Sequence, residues 1–139
     1  SLGLAMRHPD VFSSCVAFSA GIWSDDQLAG SSSKDYDRYL KVPFGPLQGD
    51  PPTLSDHFWS NNPVRLAQTL PVEELSKVRW YIDCGDDDFL FKGNSSLHII
   101  MREREIPHEY RVRDGAHTWV YWRTGIRDGL RFIASSFHR

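Results

Sequence analysis

Hydrophobic positions along the chain switch between a spacing of three to four residues and a spacing of two, and the switches mark out its elements. In SLGLAMRHPDVF, Leu2, Ala5 and Met6 recur at helical spacing, and Pro9 ends the helix by pushing the residue before it out of helical geometry. The apolar face is present from Leu2 with no capping stretch ahead of it, so this helix is expected to begin at or before residue 1. CVAFSAG is a short apolar run closed by glycine and predicts a buried strand. Residues 24–69 then change character: GSSSKDYD, FGPLQGDPP and SNNP are turn signals set between short helical pieces, DYDRYL and VRLAQTL. Phe44, Phe58, Trp59 and Leu66 anchor this stretch, which reads as an excursion of the fold and not as a linker.

Beyond the excursion the pattern is regular. VRWYIDCG places Val78, Trp80, Ile82 and Cys84 on one face and Tyr81 on the other, the pattern of a strand buried on both sides. NSSLHIIMREREI predicts a helix capped by Asn94 or Ser95, with Leu97, Ile100 and Met101 facing inward. HEYRV predicts a third strand, and TGIRDGLRFIASSF a last helix whose apolar face is Ile126, Leu130, Ile133 and Phe137. Strands alternating with helices need crossovers, so the expectation is one α/β domain over residues 1–139, its parallel sheet covered by helices. In such sheets chemistry collects past the carboxyl ends of the strands, where this chain has SAG, GDDDFL and DGAHTW.

Composition narrows the classes. Hydrophobic residues make up 40% of the 139, enough for a core, and a net charge of −2 with no basic stripe points away from nucleic acid. No run approaches the ~18 apolar residues of a membrane span. Cys15 and Cys84 sit in strand-like apolar runs, where a small buried thiol fits better than a disulfide framework or a metal site, and they leave the cellular compartment open.

The most pointed chemistry is His117, in a short Gly115-Ala116 turn after a strand and followed by Trp119, Tyr121 and Trp122. It is either a base over the sheet edge or a histidine packed by tryptophans. Asp86, Asp87 and Asp88 follow a strand-ending glycine; three adjacent carboxylates repel unless one has a dedicated partner, and one facing His117 would orient the imidazole and stabilise its charged form. A nucleophile is harder to find. Ser19 in AFSAG imitates a nucleophile elbow, but the residues after it make a poor helix, whereas an elbow runs from strand into helix. Ser1 could act only through its own amine. His8, His57, His98, His108 and His138 have no metal-ligand spacing on a shared face.

SLGLAMRHPDVFSS, FGPLQGDP, YIDCGDDDFL with Asn94, and GAHTWVYW together resemble the Putative esterase family of α/β-hydrolases, which includes S-formylglutathione hydrolases, feruloyl and acetylxylan esterases, and mycolyltransferases. The resemblance spans nearly the whole chain. It implies part of a three-layer α/β-hydrolase fold, a short, mainly parallel sheet flanked by helices. By it the acid of the Gly-x-x-Asp turn falls on Asp88, with Asp87 as fallback, and the base on His117; the departures are Ala116 for a glycine and Asp86 for a common threonine. The family's serine elbow would precede residue 1. The implied function is therefore the carboxyl-terminal part of a serine carboxylesterase, carrying acid and base without the nucleophile and inactive or very weak alone. No cofactor or metal is implied. Trp119, Tyr121 and Trp122 are expected to wall a pocket for a small-molecule or carbohydrate-linked ester, and the exposed edge of the CVAFSA strand to drive homodimerisation. The competing reading is a non-catalytic α/β remnant serving as a binding or assembly module.

Overall fold

The computed structural model describes residues 1–24, 27–28 and 33–137. Three strands, β1 (Ser14–Phe18), β2 (Arg79–Gly85) and β3 (His108–Arg113), form one sheet in the order β1-β2-β3, with both pairings parallel. In β2, Trp80 through Gly85 are all buried, because this central strand is covered on both faces. Of the outer strands, β1 alternates between buried and half-buried positions, whereas β3 is half-buried to exposed along its length.

Period two divides the residues between two layers. Cys15, Ala17, Trp80 and Ile82 point into the main core with Leu2, Ala5 and Met6 of α1 (Leu2–Arg7) and Leu97 and Met101 of α7 (Phe91–Glu103). Trp80, wholly buried, satisfies its indole N–H by donating to the Leu75 carbonyl at 2.8 Å. On the opposite face, Val16, Phe18 and Tyr81 meet α8 (Trp119–Ala134), with Tyr81 and Phe132 ring centroids 5.4 Å apart.

The excursion folds into short helices: α2 (Ser33–Tyr39), α3 (Lys41–Phe44), α4 (Asp56–Asn61) and α5 (Pro63–Thr69), followed by α6 (Val72–Leu75). Ser55 and Asn62 cap α4 and α5 with their side chains, and Pro63 occupies the first turn of α5, where its missing N–H costs nothing. Tyr36, Leu40 and Phe58 build a small second core beneath Phe44, Trp59 and Trp23.

Two helices depart from expectation. α7 begins at Phe91, so Asn94 is inside the helix and not its cap; buried, it donates from Nδ2 to the Ala20 carbonyl at 2.9 Å and ties the segment after β1 to α7. Gly93 permits this closeness, since a Cβ there would collide with the Ile22 carbonyl. α8 begins at Trp119, capped by Thr118, and buries Tyr121, Gly125, Gly129 and Phe132. Ile126, Leu130 and Phe137, expected to face inward, are exposed. Gly125 and Gly129 explain the rotation: only their bare backbone fits against Phe18 and Val16.

Candidate active site

The site is built on the turns leaving β2 and β3. Gly85 closes β2, and any side chain there would run into the Gly115 carbonyl, while Gly115 itself has φ +137° and the Tyr121 ring beneath it. With both positions bare, the two turns interlock. Asp86 and Asp87 donate their N–H groups to the Arg113 and Gly115 carbonyls, and the Gly115 N–H donates to Asp86 Oδ1 at 3.0 Å. The spacing between the residues the turns carry is therefore held by backbone contacts.

Those residues are Asp88 and His117. His117 Nδ1 lies 3.0 Å from Asp88 Oδ2 and 3.2 Å from Oδ1. The Asp88 side chain is fully buried and also accepts from the Leu90 N–H at 2.9 Å, whereas the His117 side chain is about one-third exposed. A carboxylate at this position requires the proton on Nδ1, which leaves the Nε2 lone pair available. Among the described residues, His117 hydrogen-bonds only to Asp88. Such an imidazole can take a proton at Nε2 and be steadied in its charged form by the acid behind it.

Aromatic rings continue on both sides. Phe89 and Trp122 each lie with ring centroids 4.9 Å from His117, and Trp119 packs edge-on against Trp122. The row extends from Phe89 to Tyr39 and then Trp23, both brought in by the excursion and its flank. Phe89, Tyr39 and Trp119 are exposed, so the row is a surface ledge. Phe89 is adjacent to the acid in GDDDFL and could have been read from that; Tyr39 and Trp23 reach the ledge only through long-range packing.

The other candidates are placed as follows. Trp122 stands beside His117, and Trp119 packs on Trp122. Tyr121, expected in a pocket wall, is buried under the turn with its hydroxyl on Asp83, because helical spacing turns it inward when α8 starts at Trp119. Asp87 is exposed and, with Asp86 and Asp114, forms a group of carboxylates whose oxygens lie within 4.8 Å of one another. Ser19 is buried, its Oγ accepting the Trp122 indole N–H at 2.9 Å and also hydrogen-bonded to Cys84. The Cys84 thiol is pushed up to about 12 by burial, with the Asp88 and Asp83 charges adding to the effect, which keeps it protonated and unreactive. Ser1 is exposed at the start of α1, on a cleft of about 450 Å³ shared with Ala20, Gly21 and Ile22. A shallower depression of about 400 Å³ lies against Asp88, Phe89 and Lys92.

Several known proteins are similar to this chain in fold. A ferulic acid esterase matches with a TM-score of 0.71 and 27% identity over 95% of this chain and 45% of its own. FphF, a fluorophosphonate-binding serine hydrolase of Staphylococcus aureus, matches with a TM-score of 0.68 and 21% identity over 94% of this chain and 48% of its own. S-formylglutathione hydrolase (FrmB) of the same organism gives 0.63 and 17%, with the same coverage. Among characterised sequences, an acetyl esterase of Caldicellulosiruptor saccharolyticus is 29% identical over 69 residues, 50% of this chain and 26% of that protein. The chain thus spans less than half the length of these relatives, and its three parallel strands with flanking helices correspond to part of an α/β-hydrolase fold. Residues 1–133 match the family described as Putative esterase, and the chain belongs to that family.

Proposed function

We propose that this chain supplies the acid, Asp88, and the base, His117, of a serine carboxylesterase whose nucleophile lies outside residues 1–139. The observation that carries the reading is the buried Asp88 carboxylate 3.0 Å from His117 Nδ1, with Nε2 unengaged. The placement of α1 supports it: a helix leading into a parallel strand starts at the sheet's carboxyl edge, and Ser1 borders the same cleft as Ala20 and Gly21 beyond β1. A serine presented just ahead of α1 would enter on the side where His117 stands. Ser19 does not fill the role, since its Oγ is buried and engaged by Trp122.

In this mechanism the serine attacks the acyl carbonyl as His117 Nε2 takes its proton. The imidazolium, oriented and stabilised by Asp88, returns the proton to the departing alcohol. Water then attacks the acyl-enzyme by the same route in reverse. The chemistry calls for no cofactor or metal. Trp119, Trp122 and Phe89 form the ledge against which a small-molecule or carbohydrate-linked ester would lie, and apolar rings of this kind stack on aryl or sugar rings.

Hydrolysis of p-nitrophenyl acetate tests the assignment. Residues 1–139 should give no turnover above background, and the same residues expressed behind the coding sequence that precedes them should turn over the ester. His117→Ala in that longer protein should cost at least about 10⁴-fold in kcat. Turnover by residues 1–139 that is lost in both His117→Ala and Ser19→Ala would overturn the reading and make Ser19 the nucleophile.

A further inference from the structure

We infer that Ser19 is a positioning residue for His117, acting through the indole of Trp122; the inference rests on His117 being the base. Ser19 follows β1 with φ 46°, a left-handed conformation natural to glycine and unfavourable for serine. Its own N–H donates to the Asp83 carbonyl at 2.8 Å, which ties Ser19 to β2. What the serine side chain adds over glycine is a hydroxyl, which meets the Cys84 thiol and whose oxygen accepts the Trp122 N–H at 2.9 Å; Trp122→Phe removes the second contact alone.

Trp122 needs that anchor because of what it touches. Its ring meets the His117 imidazole at 90° with centroids 4.9 Å apart. Asp88 holds one corner of the imidazole, at Nδ1, and a ring held at one corner can still swing about that contact. Two rings limit the swing, Phe89 and Trp122. Phe89 is exposed and has no polar atom to tether it, whereas Trp122 is half-buried and tied through Nε1 to a residue fixed at the end of the neighbouring strand. The strut runs from Ser19 just past β1, through Trp122 on α8, to His117 on the turn after β3. It keeps Nε2 aimed at one place when no substrate is present.

Side-chain NMR of the 15N-labelled chain tests this without requiring turnover. The wild type should show a His117 Nδ1–H resonance in slow exchange with water, lost in Asp88→Asn. Ser19→Gly, which removes the hydroxyl while relieving the backbone, and Trp122→Phe, which keeps a ring and removes the donor, should both retain the wild-type fold by their amide spectra. Each should speed exchange of that proton by about five- to tenfold, the worth of one neutral hydrogen bond. An Asp88-dependent resonance whose exchange is unchanged in both variants overturns the positioning role and leaves the base assignment standing. Absence of any Asp88-dependent resonance in the wild type removes the base assignment, and the strut with it.

Discussion

At position 83 the chain places a carboxylate where water does not reach, and three side chains share its charge. Arg113 grips it with Nη2 at 3.0 Å and Nε at 3.2 Å, Tyr121 donates its hydroxyl to Oδ1, and Tyr81 lies 3.4 Å from Oδ2. Burial pushes the Tyr121 phenol up, and the hydrogen bond and charge of Asp83 push it further, so it stays a donor. This cluster supports the Tyr121 ring on which Gly115 rests, and so underlies the turn that carries His117. Asp83→Asn should lower stability by about 3 kcal/mol, the low end for breaking a buried pair because the Arg113 side chain is about one-third exposed. A urea midpoint shift of less than a third of that size would show that the cluster is dispensable. The role was not legible in VRWYIDCG, where Asp83 is simply a residue on the Tyr81 face. Two of its three partners, Arg113 and Tyr121, lie 30 and 38 positions away, and nothing local announces them.

Between α7 and β3, His98 Nδ1 and His108 Nε2 approach to 2.8 Å, and His98 stacks on Tyr110 with centroids 4.4 Å apart. His108 Nδ1 lies 2.7 Å from the Ile106 carbonyl and so donates to it, which makes His98 the donor within the pair. Burial lowers the His98 pKa from 6.5, and His108 and Arg102 lower it further. The unfolded chain then binds that proton more readily than the folded one. The contact's stability is complete above about pH 6.5 and drains away as pH falls through the depressed folded value. Thermal midpoints measured on acidification should fall more steeply in the wild type than in His98→Gln, and parallel curves would rule this contact out as a source of acid sensitivity. Element existence was readable from periodicity in all three strands, α1, α7 and α8. Helix starts were not, since Leu90 precedes α7 without a capping side chain and Asn94 serves a long-range contact. Nor was the buried face of α8, because a hydrophobic pattern marks Ile126 and Leu130 while the packing selects Gly125 and Gly129.

For the molecule as a whole, β1 is hydrogen-bonded to β2 alone among the described residues, and Ile126 and Leu130 are exposed on α8, the helix packed against it through Gly125 and Gly129. An unpaired strand edge beside apolar surface favours self-association. The chain in isolation should sediment as a dimer at micromolar concentration, and Leu130→Glu should shift it toward monomer; a monodisperse wild-type monomer would count against pairing through this edge. The parallel order was legible from the alternation of elements, and the turn placement of His117 and of the three aspartates from the residues themselves; that Asp88 is the one facing His117 came only from the family resemblance. The aromatic ledge was legible only in part, because Tyr39 and Trp23 join it through the fold of the excursion.

The interlocked glycine turns separate two properties that could otherwise change together. Asp88 and His117 are spaced by backbone contact between the turns after β2 and β3, while Tyr39, from the part of the excursion built around Tyr36, Leu40 and Phe58, reaches the histidine side through Phe89. On the proposed function, substitutions confined to the Tyr39 and Trp23 end of the ledge are expected to change which ester is welcomed while leaving the Asp88–His117 spacing as it is. Under that proposal, selectivity and chemistry are free to evolve at different rates.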